Sequence, residues 1–66
     1  MQVEIEREED GRWIAEVPVF RGAMAYGATK QEAVAKVEAL VLRALADKLE
    51  HGEEAPEVSH VFTVAA

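Results

Sequence analysis

The chain has 66 residues and a mass of 7.3 kDa, with 50% hydrophobic and 30% charged residues, enough for one folded domain over 1–66 and no more. It has no Cys and only two well-separated His, which excludes disulfides, cysteine-ligated metals and thiol catalysis and disfavours any metal staple. Thirteen acidic residues stand against seven basic ones, a formal net charge of −6, which disfavours direct binding to nucleic-acid phosphates and suits a basic protein partner or plain solubility.

In chain order, the first pattern is an alternation. Val3, Ile5 and Arg7 share one face; Glu4, Glu6 and Glu8 share the other. Period two with β-branched residues predicts a half-buried strand. Arg12 to Val17 reads as a second strand, joined to the first by a turn at Asp10-Gly11. A two-residue Asp-Gly loop would set Ile5 against Glu16 and mix core with solvent. A three-residue loop, Glu9-Asp10-Gly11, sets Val3 against Val17, Ile5 against Ala15 and Arg7 against Trp13. Gly11 then takes the left-handed position of a type I turn with a bulge. A one-residue slip would reverse every side chain, so apolar matching selects the three-residue loop. Ile14 is left among the glutamates.

Pro18 cannot donate to a ladder and ends the second strand. Residues 19–22 form a connection closed by Gly22, and Ala23 to Tyr26 reads as a short third strand punctuated by Gly27. Gly27 is expected at positive φ. Thr29-Lys30-Gln31-Glu32 is a capping box: the Thr29 hydroxyl accepts from the Glu32 N–H, and the Glu32 carboxylate reaches back to the Thr29 N–H. The helix it opens runs to about Glu50, with Ala33, Val34, Val37, Leu40, Val41, Ala44 and Leu45 at core spacing. Gly52 is the C′ residue, with Pro56 beyond it. Val58 to Val64 alternates again and predicts a last strand, with His60 on its apolar side. The expected fold is therefore α+β, in the order β-β-β-α-β, an antiparallel sheet with one long helix on one face.

An ordered set of these residues resembles the HicB-type antitoxin domain: Asp10-Gly11 with Trp13, Glu16-Val17-Pro18, Gly22, Gly27-Ala28-Thr29-Lys30-Gln31-Glu32-Ala33, and the exit at Gly52 and Pro56. The likeness covers roughly residues 3–58. Ala28 departs from a position that is often polar in that family, and Arg21 from one where a second proline is common. The resemblance implies a reduced RNase H-like fold without the metal-binding carboxylates of true RNases H. It implies a binding module that neutralises a HicA-type RNA-cleaving toxin by protein–protein contact, with no catalysis, cofactor or small-molecule substrate. Family members typically continue into a ribbon–helix–helix or helix–turn–helix segment, and a chain ending at Ala66 has no room for one, so operator binding by this chain alone is not expected. The alternative is an orphan domain of the same family that persists as a homo-oligomeric interaction module.

Three surfaces are candidates for contact. Glu4, Glu6, Glu8 and Glu16 form an acidic face that is either a landing site for a basic protein or a solvated, aggregation-resistant strand surface. Ala35, Ala39, Leu42 and Ala46 lie roughly opposite the helix's core stripe, as a subunit contact or simply as good helix formers. Ile14 is the third. A domain this small usually needs a staple, and self-association is the one remaining, so a homo-oligomer is expected. Trp13, Phe20, Tyr26 and Phe62 are expected in packing or an oligomer contact, because the basic residues do not cluster around them. His51, at the helix end, and His60 have no evident catalytic partner. The N-terminus is not a signal peptide, and no apolar run reaches membrane-span length, so a cytoplasmic protein is expected. The absence of Asn, with only two Gln, fits a heat-adapted source.

Overall fold

The hairpin follows the apolar match. The computed structural model describes residues 1–65 and begins with β1 (Glu4–Arg7) and β2 (Trp13–Glu16). They pair antiparallel with Ile5 opposite Ala15 and Arg7 opposite Trp13. The Glu8 N–H donates to the Arg12 carbonyl at 2.7 Å, and the Gly11 N–H to the Glu8 carbonyl at 3.0 Å. Gly11 sits at φ 91°, the left-handed conformation that a bulged three-residue loop demands.

Pro18 follows β2 as expected. Two turns then reverse the chain: the Phe20 N–H bonds the Val17 carbonyl, and the Ala23 N–H bonds the Phe20 carbonyl, both at 3.0 Å. β3 (Met24–Gly27) completes a three-stranded sheet in the order β1-β2-β3, one residue later than the alternation placed it. Its register sets Ala15 against Ala25 and Trp13 against Gly27.

The helix α1 spans Lys30–Glu50. The Glu32 N–H donates to Thr29 Oγ1 at 3.1 Å, the first half of the capping box. The second half differs from expectation. The Glu32 carboxylate accepts from the Ala28 N–H at 2.9 Å, not from that of Thr29. Extended backbone at Thr29 (φ −125°, ψ 161°) turns Ala28, one residue earlier, toward the carboxylate. At the far end the Gly52 N–H bonds the Leu49 carbonyl (3.2 Å) and the Glu53 N–H bonds the Lys48 carbonyl (2.9 Å). With Gly52 at φ 72°, this is a Schellman ending.

Gly27 is corrected too. It is not among the positive-φ glycines, which are Gly11, Gly22 and Gly52. It is needed for space: a Cβ there would stand 2.5 Å from the Ala33 nitrogen. The strand passes directly under the first turn of the helix. That close approach explains the core, which is Ala15, Val17, Ala23, Ala33, Val37, Val41 and Leu45. Small residues let the layers meet. Val3, Ile5, Trp13, Phe20, Ala25, Ala55 and Val58 pack around them, half-buried. Val34, Ala44 and especially Leu40 stay partly open, because a single sheet covers only part of a helix's circumference.

The expected last strand is absent among the described residues. Pro56–His60 is a 3₁₀ helix instead, and 61–65 follow without strand pairing, the Val61 and Phe62 N–H groups bonding the Val58 carbonyl. Pro56 occupies its start and the Ser59 hydroxyl donates to the Pro56 carbonyl at 2.8 Å, which stabilises a tight turn where the alternation alone favoured extension. His60 therefore lies on that turn and not on a strand. The architecture is α+β, in the order β-β-β-α.

Candidate partner-binding face

One helix covers one side of the sheet and leaves the other free. The two registers fix what that free side carries. Glu4 stands opposite Glu16, and Glu16 opposite Met24. Glu6 stands opposite Ile14, and Ile14 opposite Tyr26. The face is thus two transverse rows, Glu4–Glu16–Met24 and Glu6–Ile14–Tyr26. Acidic groups occupy the β1 side, and an apolar patch fills the β2–β3 side. Glu8 extends the acidic side toward the turn. A shallow concavity is lined by Gln2, Glu4, Glu6, Ile14, Glu16 and Met24.

Two features mark this face. Glu4 and Glu16 are directly opposed across the ladder, an arrangement that costs stability because like charges face each other at short range. None of Glu4, Glu6, Glu8 and Glu16 joins an ion pair among the described residues; the pairs are Arg12–Asp10, Lys36–Glu32 and His51–Asp47. Met24 and Tyr26, moreover, remain 46% and 41% exposed beside those charges. At one corner the Arg12 guanidinium stacks 4.6 Å from the Tyr26 ring centre while its Nε donates to Asp10 Oδ2 at 2.7 Å. The Arg12 backbone N–H, which also donates to Asp10, holds that carboxyl below its usual range. Arg12 is therefore committed to the turn and does not neutralise the glutamates.

The sequence-derived candidates divide. The structure brings Glu4, Glu6, Glu8, Glu16 and Ile14 together on this face. Gly11, Pro18, Gly22, Gly27, Thr29, Glu32 and Gly52 build the turns and caps and take no part in it. Met24 and Tyr26 were missed as members. What places them is the β2–β3 register, which makes Ile14 and Tyr26 neighbours and which the Pro18–Gly22 turn does not itself specify.

The helix patch is largely open to solvent. Ala35 and Ala46 are exposed and Ala39 is half-buried. Leu42, 62% exposed, is not isolated on the far side of the helix: it borders Met1, Val3, Val17 and Val41 on the β1 flank. The aromatics also separate. Trp13 and Phe20 pack against the core, with Arg7 and Lys48 over their rings at 5.7 Å and 5.2 Å. Tyr26 and Phe62 are exposed. The His51 ring Nδ1 lies 2.8 Å from the Asp47 carbonyl oxygen, a helix-end contact. Among the described residues no cluster of His, Asp and Glu is placed to hold a metal ion. No helix is long and apolar enough to cross a membrane.

No family model, curated protein or solved structure matches this chain.

Proposed function

We propose that this chain is a protein-binding module of the HicB-like antitoxin kind, and that its free sheet face receives a basic protein. The observation that carries this reading is the Glu4–Glu16 opposition beside the half-buried Ile14 and the exposed Met24 and Tyr26. A cation inserted between the two carboxylates relieves their repulsion, and the apolar patch next to them supplies desolvated contact area. A HicA-type RNA-cleaving toxin has the required basic character, since it must bind RNA. The chain then acts by occupying the toxin's surface and not by chemistry of its own. The ordered Gly, Pro and capping-box residues and the β-β-β-α order support the family resemblance.

Co-expression with the product of the adjoining gene tests this. The expected result is a stable complex in which RNA cleavage by that product is suppressed. Free toxin activity in the presence of excess folded chain would refute it.

A second reading has its own support. Val61, Phe62 and Val64 are 62%, 68% and 91% exposed. Apolar side chains so open favour a homo-oligomeric interaction domain.

A further inference from the structure

We propose that residues 61–65 of one copy add as a strand to the open edge of β1 in a second copy, with the exchange made reciprocally to give a two-fold dimer. This rests on the homo-oligomeric reading and names its contact.

Three independent observations meet at this edge. The first is the state of β1. The Glu8 N–H bonds the Arg12 carbonyl across the hairpin. Ladder alternation therefore directs Glu4, Glu6 and Glu8 toward β2 and leaves the N–H and C=O groups of Ile5 and Arg7 on the outer edge. Among the described residues nothing pairs with that edge, and β1 is terminal in the sheet. An unpaired edge is a template for another strand.

The second is the position of the helix. It packs on β3 and β2, and its contact with β1 is slight. The inner side of β1 is consequently only half covered: Val3 and Ile5 stay half-buried, and Met1 and Leu42 are exposed beside them. A strand added to β1 would place alternate side chains on this uncovered apolar ground.

The third is the segment itself. Residues 61–65 read Val-Phe-Thr-Val-Ala, β-branched and aromatic, with no charge. They form no strand within the chain: the Val61 and Phe62 N–H groups close the preceding turn on the Val58 carbonyl, and Val61, Phe62 and Val64 expose their side chains to water. Set on β1, Phe62 and Val64 continue the row of Val3 and Ile5, while Val61 and Thr63 lie beside Glu4 and Glu6. An uncharged segment adds no repulsion to that acidic strand, whereas the stretch Glu53–Ala55 carries two glutamates. At the root of the segment, Glu57 Oε1 is buried without a hydrogen-bond partner, next to Met1 and Val61. The single chain thus leaves a donor–acceptor edge, an apolar shelf and a strand-forming segment all unsatisfied, and a second copy satisfies them together.

Sedimentation equilibrium at micromolar concentration, with amide hydrogen exchange read residue by residue, tests the proposal. The wild type should be a dimer, with the Ile5 and Arg7 amides and those of 61–65 protected in proportion to dimer population. The double variant Phe62→Glu/Val64→Glu touches only exposed positions and should leave the fold intact while weakening the dimer at least about a hundredfold. Ala35→Glu, on the opposite end of the helix, should leave the dimer unchanged. A dimer that survives Phe62→Glu/Val64→Glu, or that fails with Ala35→Glu alone, overturns the strand exchange but keeps the oligomeric reading. A wild-type monomer overturns both, including when its 61–65 amides are protected by pairing within one chain.

Discussion

Replacing Gly27 by alanine separates two physical accounts by the sign of the effect. At a position whose backbone any residue can adopt, Gly→Ala normally stabilises by about 0.4–1 kcal/mol, because it restricts the unfolded chain. Gly27 is such a position, since its φ is not positive. Packing says the reverse. The new Cβ would lie 2.5 Å from the Ala33 nitrogen, 3.0 Å from its Cα and 3.0 Å from the Glu32 carbonyl carbon, all backbone atoms that no rotamer change can move. To reach ordinary contact, the first turn of α1 must lift by about 1 Å. That movement pulls Ala33, fully buried, off the sheet and loosens the cap that holds Glu32. Overpacking of this kind costs about 1–3 kcal/mol. A 66-residue domain has only about 3–10 kcal/mol in total, so the loss is a large fraction of it. Urea denaturation followed by far-UV circular dichroism reads the effect. With a slope near 1 kcal/mol per molar urea, the midpoint should fall by about 1–3 M. A midpoint equal to or above that of the wild type would refute the close-approach argument.

Thr29→Ala should cost less, about 1 kcal/mol, by removing the acceptor for the Glu32 N–H; an unchanged midpoint would show that this cap contributes nothing. Acid should expose the other half of the cap. The Ala28 N–H, and then the Lys36 ammonium at 3.4 Å, hold the Glu32 carboxyl below its usual range. A depressed folded value means stability that is complete above the unfolded value and lost as pH falls through the folded one. The stability gap between wild type and Glu32→Gln should therefore be widest at neutral pH and close in acid; a pH-independent gap would contradict this.

The hairpin, its loop length, the helix, its C-terminal cap and the Thr29 half of its N-terminal cap were legible because each rests on local rules with strong residue signatures. Asp10-Gly11 with matched apolar faces fixes one register, and Thr29 with Glu32 fixes one helix start. Gly27 was legible as necessary but for the wrong reason: positive φ is a local property, whereas the actual constraint is a long-range approach between β3 and α1. The segment after Pro56 misled because alternation reports a capacity to pair and not the presence of a partner. Its Pro56 and Ser59 favour a 3₁₀ turn, and within one chain nothing outweighs them. The acidic row was visible as a strand face, but the apolar half of that surface needed the β2–β3 register, which a turn containing Pro18 and Gly22 does not reveal by itself.

The association rate with a HicA-type toxin, the basic partner proposed for this chain, measured by stopped flow over a range of salt, tests the central claim most directly. The acidic face should steer that partner, so the rate should fall steeply as salt shortens the screening length to about 8 Å at physiological ionic strength. Glu4→Lys/Glu16→Lys should slow it further at low salt, while random duplex DNA and RNA bind neither form tightly. A rate indifferent to both salt and charge reversal, or sub-micromolar binding of the wild type to random nucleic acid, would contradict the account.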